Sequence, residues 1–180
     1  MTEHDTLDRA AAAALALAAE RPWREVALRD IAAKAGVAFA DLYALAPSKA
    51  AVMGHLARRF DRAALATADG GGEADPHDRL FDAALARLEA MQPHRKALLA
   101  VAADENPLEI ARRAPATARA ILEAAGVDAT APRLAAMGAV WIRLLQVWRT
   151  DGDALAKTMA EADKRLKQMR DGLKKIGAGF

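Results

Sequence analysis

At 180 residues with 53% apolar content, the chain suits one compact domain or a small head fused to a larger body. The absence of cysteine excludes disulfides, thiolate nucleophiles and thiolate-bound metals, and a formal net charge of +2 is too small to argue for nucleic acid by itself. Alanine, the strongest helix former and a poor strand residue, supplies much of the apolar content, so an all-α fold is expected. The opening MTEHDTLDRAAAAALALAAERP places acids before its apolar run, unlike the basic start of a secretion signal, and that run is too short to span a bilayer. A soluble cytoplasmic protein is the expectation.

Charge placement is more informative than its total. Residues 1–60 hold eight Lys/Arg against seven Asp/Glu, a balance of +1, whereas residues 157–175 hold seven against three, or +4. A head that grips nucleic acid is ordinarily the basic part. Here it is nearly neutral.

In chain order, Leu7, Ala11, Ala14, Leu15 and Ala18 recur at helical spacing over residues 6–20, and Arg21-Pro22 ends that helix. Trp23, Val26 and Leu28 should pack beneath the next helix, residues 28–35, which Gly36 stops in a left-handed cap. Val37 plugs the angle to a helix over 38–45 that buries Leu42 with Phe39 or Leu45. Ser48 is the expected N-cap of a long helix over 49–68, with Met53, Leu56, Phe60 and Ala64 facing inward. The triglycine of ADGGGEADPHD, residues 68–78, reads as a flexible loop. Helices follow over 78–91, 93–103 and 107–125, the last bent or split by Pro115 and closed by Gly126. Two long helices, 132–149 and 153–170, end the chain, with Asp153 as the second one's N-cap and a frayed tail from DGLKK onward. We divide the chain into a head, 1–50, and a body, 51–180, with the long fourth helix serving both.

Two short helices joined by Gly-Val can present the second one to a major groove, and they can equally form an ordinary helical corner; spacing alone leaves both open. The run LRDIAAKAGVAFADLYALAPSKAAVMGHL, from Leu28 to Leu56, resembles the tetracycline-repressor family. Arg29-Asp30-Ile31-Ala32, Ala35-Gly36-Val37, Leu42-Tyr43 and Ser48-Lys49 match its head in order and spacing, over about residues 8–60. The resemblance implies a three-helix head with a helix-turn-helix that binds operator DNA. It also implies a helical body holding a ligand pocket, and a homodimer paired through the last two helices. Tyr43 and Lys49 carry over as phosphate contacts, a role their hydroxyl and mobile point charge suit. Arg24, Arg29 and Lys34 are candidates for the DNA backbone.

The chain departs from the family pattern where bases are read. Ala38 replaces the usual capping serine, Phe39-Ala40-Asp41 replace small or polar residues, Ala27 replaces a Ser or Thr cap, and Leu45-Ala46 replaces an aromatic pair. Residues 38–46 contain no Arg, Lys, Asn or Gln. Readout would rest on apolar contact with thymine methyls, on DNA shape, or on Asp41 accepting from cytosine. The DNA-contact candidates are therefore Arg29, Ala38, Phe39, Asp41, Tyr43 and Lys49.

The body segments FDAALARLEAMQPHRKALLAVAAD and WIRLLQVWRTDGDALAKTMAEADKRLKQM are similar to a proteobacterial group whose bodies resemble lipid-binding accessory proteins of ubiquinone biosynthesis. That resemblance implies an apolar cavity for isoprenoid or other lipid. Met91, Leu98, Leu122, Met137, Trp141, Leu144 and Trp148 are the candidate lining residues for a small hydrophobic effector or lipid, although for any single one of them ordinary core is the better reading. The last helix carries Lys157, Lys164, Arg165, Lys167 and Arg170, a solvated face or one drawn to anionic headgroups. His4, His55, His77 and His94 include no i,i+4 pair, HExxH is absent, and the triglycine lacks the lysine of a phosphate loop. No catalytic residue, metal site or cofactor is expected. The leading function is a ligand-responsive DNA-binding transcriptional regulator; the alternative is a lipid-binding accessory protein that keeps the helix-turn-helix as scaffold, and a small enzyme in a helical bundle is a weaker third.

Overall fold

The structure, a computed structural model, describes residues 2–70 and 74–180. The flexible stretch expected at 68–78 falls in part on residues 71–73, outside the described residues. Those described form an all-α protein with an N-terminal helix-turn-helix bundle and a C-terminal helical body: α1 (Glu3–Glu20), α2 (Leu28–Ala35), α3 (Phe39–Leu45), α4 (Lys49–Leu65), α5 (Pro76–Met91), α6 (Arg95–Asp104), α7 (Pro107–Ala124), α8 (Ala131–Trp148) and α9 (Ala156–Lys175). None of these helices is long and apolar enough to cross a membrane.

By packing, the chain forms two compact units. The first comprises residues 1–59 and 93–113. In it α1 packs on α2, α3 and α6, so a helix from mid-chain completes the head. Its core is built from small alanines of α1 (Ala10, Ala11, Ala14), which let helices approach closely, filled out by Trp23, Val26, Ile31, Leu42, Val52 and Leu56. The second unit comprises residues 60–92 and 114–180, where α9 packs along α5 and α8. There Leu80, Leu88, Ile121, Leu122, Met137, Leu144 and Leu166 are fully buried.

Most boundaries follow from local chemistry. Thr2 caps α1 by accepting from the Asp5 N–H, Ser48 caps α4 by accepting from Ala51, and Asp75 caps α5 by accepting from His77. The Asp75 cap starts α5 at Pro76, two residues before the apolar pattern does, with the proline where its missing N–H costs nothing. Gly36 and Gly126 both adopt left-handed conformations after α2 and α7. α4 stops at Leu65 and tightens into a 3-10 turn over Ala66–Gly70, short of the expected residue 68.

Three expectations need revision. Pro115 does not split α7, which runs unbroken through it and is anchored on its far side by the buried Thr117, Ala118, Ala120 and Ile121. The two units change over at Arg113–Ala114, just ahead of that proline. Asp153 does not cap α9. Instead Asp151 Oδ2 accepts from both the N–H and the hydroxyl of Thr158, each at 2.7 Å, and its Oδ1 accepts from Gly152 N–H at 2.8 Å. Burial opposes ionisation of Asp151, yet these bonds hold its carboxyl below the usual range. They also hold Leu155, whose side chain is buried, in the left-handed region at φ 54°. Finally, α9 does not fray at DGLKK but continues to Lys175, because Leu173 is buried one turn beyond Met169.

Candidate functional site

The α2–turn–α3 corner is fixed by a few bonds. Ala27, at the N-cap of α2, has no oxygen to offer, so only the return half of a capping box forms: its N–H donates to Asp30 Oδ2 at 2.9 Å. That bond, reinforced by Arg21 at 2.7 Å, holds the Asp30 carboxyl below its ordinary range. At the far end Gly36 (φ 63°, ψ 40°) donates to Ala33 and Val37 donates to Ala32 at 3.1 Å, closing the turn. Arg9 of α1 donates to the Gly36 carbonyl at 3.2 Å, and a Cβ at Gly36 would stand 2.9 Å from that guanidinium. Val37 is buried beneath the corner.

α3 begins at Ala38 with extended backbone and no side-chain cap. Leu42 is fully buried and pins the helix; Leu45 is half-buried, so Leu45 rather than Phe39 completes the inner face. The outer face is open to solvent, with Ala38, Phe39, Ala40, Asp41, Tyr43 and Ala44 exposed. Phe39 is 44% and Tyr43 54% exposed, large values for aromatic rings, and the two rings lean together with centroids 6.0 Å apart. This face is an aromatic ridge with one carboxylate.

The cations around the corner are largely engaged. Lys49 donates to the Trp23 carbonyl at 2.7 Å with its ammonium 4.7 Å from the Trp23 ring centroid, and burial lowers its pKa. Arg24 pairs with Asp104 at 3.2 Å and Lys34 with Glu20 at 2.9 Å. Arg29 is exposed at the start of α2. Exposed ion pairs are worth about 0–1 kcal/mol each, so a phosphate could displace the carboxylates from Arg24 and Lys34. Lys49 is held more firmly by its half-buried position.

With this geometry in view, residues 11–56 match the sequence model described as "Bacterial regulatory proteins, tetR family". Curated proteins yield no match. Among solved structures, the chain resembles a TetR transcriptional regulator from Rhodococcus sp. RHA1, with a TM-score of 0.67 and 19% identity over 92% of this chain and 95% of that one. The fold is that of the TetR regulators. A second structure, a putative TetR-family transcriptional regulator from Rhodococcus sp., matches with a TM-score of 0.58 and 19% identity, covering 93% and 98% of the two chains. Within the TetR fold, the matched segment runs from mid-α1 through the turn to Leu56 of α4, so it covers the α2–turn–α3 corner.

In the second unit the candidate lining residues Met91, Leu122, Met137, Trp141, Leu144 and Trp148 are all buried. Leu98 is half-buried on α6 and belongs with the first unit. Met91 and Trp141 come together around a feature the sequence reading missed, the buried Arg87. Its Nε donates to Asp61 Oδ1 at 2.7 Å, Nη1 to Met91 Sδ at 2.9 Å and Nη2 to Thr117 Oγ1 at 3.2 Å. The guanidinium carbon lies 4.5 Å from the Trp141 ring centroid. Trp148 donates its indole N–H to Gln92 at 2.7 Å. The signal for Arg87 was present in sequence. Leu80, Ala84, Arg87 and Met91 recur at alternating spacings of four and three, which places the arginine in the inward stripe of α5.

Proposed function

We propose that this protein is a DNA-binding transcriptional regulator of the tetracycline-repressor family, not an enzyme, acting as a homodimer paired through α8 and α9. The observation that carries this reading is the free outer face of α3, set at a fixed angle by Gly36 and Val37 within the segment that matches the family. A groove-entering helix must offer such a face. Phe39 and Ala38 would meet thymine methyls, Asp41 a cytosine amino group, and Tyr43, Arg29 and Lys49 the phosphates. The body would take a small hydrophobic effector among Met91, Met137, Trp141 and Trp148, its binding shifting the dimer between states of different operator affinity.

A second reading is favoured by one observation: the exposed face of α3 offers no Arg, Lys, Asn or Gln, and Lys49 is turned onto Trp23. In that reading the body carries a lipid or isoprenoid and the corner is scaffold. Selection from a random duplex pool at low salt separates the two. The regulator enriches a pseudo-palindromic site, and its affinity falls with added salt and on Tyr43→Phe or Lys49→Ala. Failure to enrich any sequence, together with a co-purifying lipid in native mass spectrometry, would overturn the first reading for the second.

A further inference from the structure

His4 and Asp8 stand one turn apart on α1, and His55 reaches them from α4; all three belong to the first unit. Asp8 turns one oxygen to each ring: Oδ1 lies 2.7 Å from His55 Nε2, and Oδ2 lies 3.3 Å from His4 Nε2. The rings meet edge to face with centroids 5.6 Å apart. One donor atom from each residue lies within 4.8 Å of the other two. Nitrogen and oxygen ligands about 2.0–2.2 Å from one cation stand roughly 3–3.5 Å from one another, so these groups need shift by only about 1 Å to share an ion.

We propose that His4, Asp8 and His55 form a binding site for a divalent first-row transition-metal ion that staples α1 to α4. Two imidazoles with one carboxylate match Zn²⁺, Ni²⁺ or Co²⁺, whereas Ca²⁺ and Mg²⁺ want oxygen throughout. Water would complete the coordination. The site is graded from inside to outside: the His55 side chain is 6% exposed, Asp8 32% and His4 52%. An incoming ion therefore meets the more exposed outer pair first and is then seated against the buried inner imidazole. Arg59 stands 3.6 Å from Asp8 Oδ1 and opposes a second cation, but its side chain is 42% exposed and has room to swing away. Histidine spacing alone does not reveal the site, because the partner of His4 on its own helix is a carboxylate and the second imidazole is distant in sequence. The bound ion would stabilise the unit that carries α2 and α3, since α1 also supplies Arg9 to the Gly36 carbonyl.

The test uses full-length protein without a histidine tag, stripped with EDTA and titrated with ZnCl₂ by calorimetry and thermal melting. One ion binds per chain, and at about a hundredfold excess over Kd the Tm rises by roughly 5–10 °C. His4→Ala removes an exposed ligand without opening the core, and it should weaken zinc binding by roughly a hundredfold or more, beyond the 10–100-fold typical of an outer-shell partner. His55→Gln gives the same loss, whereas His94→Ala binds as the parent does. Co²⁺ added in place of zinc gives a visible absorption band that His4→Ala abolishes. No saturable uptake of zinc at submillimolar concentration, or undiminished uptake by His4→Ala, overturns the proposal and leaves the His55–Asp8 bond as a structural pin alone.

Discussion

Asp61→Ala tests the energetics of the second unit most directly. The substitution takes a carboxylate away from the buried Arg87 guanidinium, since Arg87 and Asp61 are both buried and lie 2.7 Å apart. Two unit charges about 4 Å apart attract by about 4 kcal/mol at an effective dielectric near 20, and breaking a buried pair from one side typically costs about 3–5 kcal/mol. Thr117 and Met91 still accept from the guanidinium and Trp141 still lies against it, so the lower half of that range is expected. For a chain of this length each kcal/mol moves Tm by roughly 2–4 °C, giving a fall of about 6–16 °C. Urea denaturation measures the loss directly, provided m is unchanged. The double variant Asp61→Ala/Arg87→Met should regain part of it, because the buried charge is gone and a thioether replaces the arginine stem beside Trp141. A loss under about 1 kcal/mol for Asp61→Ala, or a double variant less stable than the single one, would refute the account of Arg87 as a compensated buried cation.

Three further outcomes follow from local geometry. Gly36→Ala should cost about 1–2 kcal/mol, since φ of 63° penalises a Cβ and the Arg9 guanidinium must move aside; chemical denaturation measures it, and a neutral result would mean the turn is not left-handed. Ala38→Ser supplies the missing cap of α3 and should add about 0.5–2 kcal/mol in the same assay. Bonds from Arg143 and Arg165, both at 2.8 Å, hold the Glu161 carboxyl at about 2 against an ordinary 4.5. The folded protein therefore binds this proton less tightly than the unfolded chain. The stability advantage over Glu161→Gln is complete above about pH 4.5 and shrinks as pH falls toward 2; melts of both proteins at about pH 7 and about pH 3 should show the gap narrow.

The elements governed by short-range chemistry were legible in the sequence. Gly36, Ser48 and the Met53–Leu56–Phe60–Ala64 stripe act within one or two turns of themselves, and each does in the structure what its spacing implies. The outer face of α3 was legible for the same reason, as absence of polar donors is a property of composition. Side-chain direction was not: Phe39 and Leu45 were both apolar candidates for the inner face, and only the angle of a seven-residue helix on α1 and α2 decides between them. Lys49 read as a phosphate contact from its place at the start of α4, but the partner that draws it inward, the Trp23 carbonyl, lies 26 residues away. Distance in sequence likewise concealed Arg87 with Asp61 and His55 with Asp8. The corner before α9 misled for a subtler reason. DGD offers two aspartates, and Asp151 wins because Thr158 supplies a second donor to it.

That corner bears on the order in which the chain acquires structure. Asp151, Gly152 and Thr158 close it within eight residues, so little chain entropy is lost in forming it. The helical hairpin of α8 and α9 can therefore assemble from contacts near in sequence, whereas the packing of α6 on α1 must await the meeting of segments some eighty residues apart. Amides of α8 and α9 should accordingly gain exchange protection in the earliest moments of refolding, with those of α6 following.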